Sequence, residues 1–233
     1  VKRLPSVALA AIFAAGMPLS LFADDLSRVE QDLATKWKNY KTMSARVTTE
    51  INLVPGLVTN SNGTFEYMLE GDKEKYRMDS SAELTLGGQA AKSRQTTVCD
   101  GEFLYVLTDQ EGQKTLTKQR ATARPGWAGG ARMLQELKTH HDLALLPDER
   151  VGDEDSYLIE ATSRTGGLNS PPKMRMFFSK KTGILLKMMG LDEASMPMMT
   201  LTYQDVRINP GIDPSRFVFE APAGVTMVDQ TKP

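Results

Sequence analysis

Between Ala45 and Ile208 apolar and polar residues alternate in short runs punctuated by turn signals, the pattern that most restricts what this chain can fold into. Ala45, Val47, Thr49, Ile51 and Leu53 alternate with polar partners. Phe65, Tyr67 and Leu69 do the same after a turn predicted at Asn62 and Gly63. Similar runs follow at 75–80, 83–86, 96–99, 103–108, 115–118, 156–162, 173–179, 184–191 and 198–208. Turns are predicted at Asp100-Gly101, Glu111-Gly112 and Thr182-Gly183. So many short strands predict an antiparallel sheet that curls, because flat sheets of that size are unusual.

Two helices interrupt the pattern. From Asp24 to Met43, Leu26, Val29, Leu33, Trp37 and Tyr40 recur at steps of three or four, and Ser27 with Glu30 fits a capping box at the helix start. Between Arg124 and Pro147, Gly126, Gly129 and Gly130 form a hinge or loop. They lead into Ala131 to Leu146, where Met133, Leu134, Leu137, His141 and Leu145 follow helical spacing. A sheet with only two amphipathic helices to cover its inner face leaves an apolar hollow.

The N-terminus sets the compartment. Lys2 and Arg3 precede an apolar run from Val7 to Phe22, broken by Gly16 and Pro18, which ends at Ala23 before Asp24 and Asp25. That is the layout of a secretory signal peptide, and the run falls short of the roughly 20 apolar residues that span a bilayer. The expected organisation is a cleaved segment 1–23 and a single domain 24–233, soluble and without a permanent membrane anchor. Removing Lys2 and Arg3 leaves 26 of the 28 basic residues against 29 acidic ones, a formal charge of about −3. With no basic stripe interleaved with aromatics, nucleic-acid binding is not expected. Cys99 is the only cysteine, so no intrachain disulfide forms and a packed core must supply the stability.

Catalysis has little to draw on. His140 and His141 are the only histidines, and adjacent positions on a helix point about 100° apart, so they read as a surface pair rather than an acid and a base. No nucleophile motif is present, and the chain is not expected to be an enzyme or to hold a cofactor or metal. Met188, Met189, Met196, Met198 and Met199 allow two readings: soft ligands for copper(I), or the adaptable lining of an apolar cavity, extended by Met174 and Met176. The acidic residues Asp148, Glu149, Asp153, Glu154 and Asp155 lack calcium-loop spacing and read as a solvated loop.

The segment Leu201 to Asn209, then Asp213 to Phe219 with its phenylalanine pair, then Ala221 to Val225, resembles the closing part of the periplasmic outer-membrane lipoprotein carriers, the LolA-like family. Cys99 to Tyr105 is similar to that family's aspartate-glycine turn and aromatic strand, and Lys181 to Leu185 to its late hairpin. The resemblance implies an unclosed antiparallel β-barrel of about eleven strands, with short helices as a lid over an apolar concave face. It also implies a periplasmic monomer that carries acyl chains of lipoproteins or related lipids from an inner-membrane releasing complex to an outer-membrane acceptor. A sensor built on the same fold is the alternative. The family's lid-bonding arginine has no counterpart in Met68 to Lys73, and Arg77 falls several residues away. If the sheet curls, the alternate set Phe65, Tyr67, Leu69, Tyr105, Met176, Phe178, Leu186, Met188, Leu201 and Tyr203 is expected to line the lipid cavity. Glu66, Arg175, Lys187 and Thr202 then face solvent.

Overall fold

The computed structural model describes residues 19–54, 56–121, 130–165 and 171–231. Most of the predicted signal segment and the glycines at 126 and 129 lie outside these. The alternating runs become one sheet of twelve strands: β1 (Thr42–Val54), β2 (Leu57–Glu70), β3 (Lys73–Leu86), β4 (Gln89–Cys99), β5 (Phe103–Gln110), β6 (Gln113–Arg120), β7 (His141–Val151), β8 (Glu154–Ser163), β9 (Lys173–Ser179), β10 (Leu185–Leu191), β11 (Pro197–Ile208) and β12 (Met227–Asp229). Two helices accompany them, α1 (Leu19–Trp37) and α2 (Gly130–Leu137).

Two meanders, β1 to β6 and β7 to β11, join where β1 pairs with β11. The order is β12-β6-β5-β4-β3-β2-β1-β11-β10-β9-β8-β7, and its ends do not pair, so the barrel is unclosed. All neighbours are antiparallel except β12, which runs parallel to β6. Both helices pack on the inner face: Leu26, Val29, Leu33 and Leu134 share one buried cluster with Phe65, Tyr67, Ile159, Met176, Phe178 and Tyr203. Each such side chain withdrawn from water contributes ~1.5–3 kcal/mol.

Three local expectations are corrected. Asn62-Gly63 is not a turn but lies within β2, because Gly63 is where the backbone of β3 comes closest: a Cβ there would stand 2.2 Å from the Asp79 carbonyl oxygen. The capping box fails because the helix already runs from Leu19 through Ser27, and Glu30 is buried against α2 instead of closing a helix start. The second helix stops at Leu137. Residues from His141 on form β7, where Leu143 and Leu145 pack toward the inner core at a period of two.

The outer face of the first meander is covered as well. After β11 the chain makes a 3-10 turn at Pro214–Phe217 and crosses that face. Phe217 is buried there, and Phe219 stacks on Tyr105 with ring centroids 4.9 Å apart. Arg216 ties the tail to Glu66 (2.9 Å) and Asp79 (3.6 Å).

Candidate functional site

Directly paired residues of adjacent strands share a face, so the register assigns every side chain to the inside or the outside. Starting from Phe65 and Tyr67, the inner face continues through their partners Met78 and Tyr76 on β3, then Thr97 and Cys99 on β4, then Val106 and Leu104 on β5. On the other wing Tyr203 opposes Val47, and Leu201 opposes Met188, which opposes Met176, which opposes Ile159. Eight of the ten expected residues therefore converge on the core beneath the helices: Phe65, Tyr67, Met176, Phe178 and Tyr203 within it, and Leu69, Met188 and Leu201 packed against it.

The other two are corrections. Tyr105 pairs with Val98, which pairs with Arg77, which pairs with Glu66, so it lies on the outer face beneath Phe219. Leu186 sits in a bulge: Leu185 pairs with Phe178 and Lys187 with Phe177, which leaves Leu186 without a place in the ladder and gives the inward position to Leu185. Sequence reasoning also missed Leu143, Leu145 and Ile159, the first two because their segment was read with a helical period.

The lid is held at both ends by polar contacts to a few groups. Glu30 of α1, buried, accepts a hydrogen bond from Gln135 (2.9 Å) and lies 2.5 Å from Lys138, just past α2. At the other end Lys36 pairs with Asp32 and donates to the Lys180 carbonyl (2.5 Å), Tyr40 donates to the Thr182 carbonyl (2.6 Å), and Tyr157 donates to Asp32 (3.2 Å). Arg77 takes no part. Its guanidinium grips Asp79 on the outer face at 2.6 and 3.0 Å.

Burial governs the titrating groups of this region. It pushes Tyr76 up to about 12, with the nearby Cys99 adding to the effect, and raises Tyr203 as well. Burial and then the Asp32 charge raise Tyr40 and Tyr157, so both phenols remain protonated donors. Burial likewise raises Cys99, keeping a thiol rather than a nucleophilic thiolate. Beneath the lid the site offers aromatic rings, thioethers and aliphatic chains, a surface suited to apolar ligands of variable shape.

The methionines divide between faces. Met174, Met176 and Met188 turn inward, Met196 is an exposed loop residue, and Met189 pairs with Arg175 on the outer side. The acidic stretch forms the β7–β8 hairpin, with Asp148 paired to Lys180 and Asp155 to Arg150. The two histidines are not a surface pair on a helix. His140 is exposed in the turn after α2, whereas His141 opens β7 half-buried, Nδ1 3.3 Å from the Leu137 carbonyl.

No family model and no curated relative matches the sequence. In structure the chain is similar to a conserved protein of Thermus thermophilus (11% identity, 88% of this chain and 99% of that one, TM-score 0.55). It is also similar to MucB (15%, 85% and 64%, TM-score 0.51) and to MucB of Pseudomonas aeruginosa in its complex with MucA (13%, 84% and 61%, TM-score 0.50). The chain thus spans less than two thirds of the MucB structures. A LolA superfamily protein of Nitrosomonas europaea matches at 12% identity over 82% of this chain and 97% of that one, with a TM-score of 0.29, too distant a superposition to carry weight. With twelve strands in one unclosed sheet and two helices over its inner face, the chain shares the fold of the Thermus protein and of the matching part of MucB.

Proposed function

We propose that this protein is an exported carrier that takes acyl chains of lipoproteins or related lipids into the inner face of its open sheet and passes them on, without catalysis. The observation that carries the reading is the inner face itself. Aromatic residues, methionines and leucines from β1, β2 and β8 to β11 meet there under two helices that polar contacts fasten at Glu30, Lys36 and Tyr40.

A buried acyl chain is favoured by ~0.8 kcal/mol per methylene, so a chain of some sixteen carbons does not cross water unescorted. In the closed form the helices' own apolar stripes occupy the inner face. An incoming chain replaces them, so little apolar surface meets water in either state. Residues 1–23 would act as the export signal, delivering 24–233 as one domain to the periplasm, between an inner-membrane donor and an outer-membrane acceptor.

The same fold suits a second role, that of a sensor whose lipid occupancy governs a partner protein. The likeness to MucB, solved with MucA, favours keeping it in view. Mass spectrometry of organic extracts from protein purified without detergent tests the carrier. Co-purifying acylated species at near-stoichiometric amounts are expected, and a lipid-free protein that also fails to bind a fluorescent fatty acid would refute it.

A further inference from the structure

The two edges of the sheet are protected in opposite ways. At one end β7 carries its own safeguards, Pro147 and a bulge between Leu146 and Glu149, which discourage an added strand. At the other end β6 is a regular strand of eight residues covered, among the described residues, only by β12, which pairs with it over three positions: Met227 opposite Leu116, Val228 opposite Thr117 and Asp229 opposite Lys118. All three β12 residues are exposed, Val228 at 56%, and this is the one parallel pairing in the described sheet, a ladder slightly weaker per residue than an antiparallel one.

The side chains of β6 state what such an edge would accept. Along its outer face Lys114, Lys118 and Arg120 alternate with the buried Leu116, in register with Asp109, Tyr105, Phe103 and Leu107. Lys118 lies 3.9 Å over the Phe103 ring, and the Lys114 to Asp109 pair is stretched to 4.0 Å. A second copy of β6 would set these cations against its own. The resident β12 places an acid, Asp229, opposite Lys118.

We propose that the β6 edge is a strand-addition site for an extended acidic peptide segment of a partner protein, and that β12 is a removable cover occupying it in the free chain. Main-chain hydrogen bonds would supply affinity and acidic side chains at alternate positions the selectivity. An eight-residue segment can pair along all of β6 where β12 pairs with three residues, so a partner displaces the cover through the longer ladder.

The test uses the full chain and a fluorescein-labelled octapeptide alternating valine with aspartate or glutamate. The substitution Val228→Pro removes a donor and stiffens an exposed position, weakening the cover; Asp229→Lys serves if the first variant folds poorly. Either variant is expected to bind the peptide at least tenfold more tightly than the unaltered chain, with amide exchange slowed across 113–120. Adding Lys118→Glu should reverse that gain, and a lysine version of the peptide should not bind. Equal affinity for variant and unaltered chain, indifference to peptide charge, or protection appearing on β7 rather than β6 would each overturn the proposal. None of these outcomes depends on whether the inner face holds lipid.

Discussion

Removing a single hydroxyl just past the end of α1 should loosen the lid while leaving the sheet intact. In Tyr40→Phe the ring keeps its edge-on contact with Trp37 (centroids 5.5 Å apart, 71° between planes), but the 2.6 Å hydrogen bond to the Thr182 carbonyl is lost. Burial and Asp32 raise the phenol's pKa, so in the unaltered protein this donor is present at every pH near neutrality. A typical hydrogen bond contributes ~1 kcal/mol net, and leaving a half-buried carbonyl without its donor adds about as much, so the loss is ~1–2 kcal/mol. If α1 opens as a unit, its open population should rise about 5- to 30-fold. Native-state amide exchange followed by mass spectrometry reads this directly. Amides across 26–37 should exchange faster by that factor, those of β8 and β9 should not change, and a fluorescent fatty acid should associate faster. Equal acceleration in α1 and in β9 would mean that the helix opens only when the whole domain unfolds, and the lid mechanism would be wrong.

Three further outcomes are expected. Leu201→Asp puts an unpaired carboxylate on the inner face, where a charge disfavours an acyl chain, so fatty-acid affinity should fall about tenfold or more, whereas Thr202→Asp on the outer face should leave it unchanged; equal behaviour in a displacement assay would place the lipid elsewhere. Gly63→Ala forces a Cβ to within 2.2 Å of the Asp79 carbonyl and 2.9 Å of Ser80 Cα, both backbone atoms that cannot turn aside, and should cost about 3 kcal/mol. By calorimetry that is a fall in Tm of ~6–12 °C, and a change below about 2 °C would contradict the close approach. At Asp79 burial alone raises the pKa, but hydrogen bonds from Arg77 and Thr96 and the charges of Arg77 and Arg216 outweigh it and leave it lowered. Its contribution is therefore present above the ordinary carboxylate range and lost as pH falls through the lowered value. Acid should release the tail there, exposing the Tyr105–Phe219 stack to a fluorescence quencher, and Asp79→Asn should remove that step.

All the strands but β7 and β12 were legible in the sequence, because a pleated chain sends successive side chains to opposite faces wherever no bulge intervenes. The stripe of α1 and the turns at Gly101, Gly112 and Gly183 were legible for similar local reasons, and all three glycines have the positive φ such turns need. What no local pattern holds is which of the two alternating sets faces the lid. On β5 both sets are apolar, Phe103, Tyr105 and Leu107 against Leu104 and Val106, because the tail from Pro214 onward covers the outer face as the helices cover the inner one. Only the ladder back through Val98 and Arg77 to Glu66 places Tyr105 outside. On β10 one bulged residue exchanges Leu186 for Leu185, and between 138 and 146 a leucine-rich stretch compatible with two periods is settled by pairing with β8. Periodicity belongs to the chain, but facing belongs to the register, and register is fixed by contacts between residues far apart in sequence.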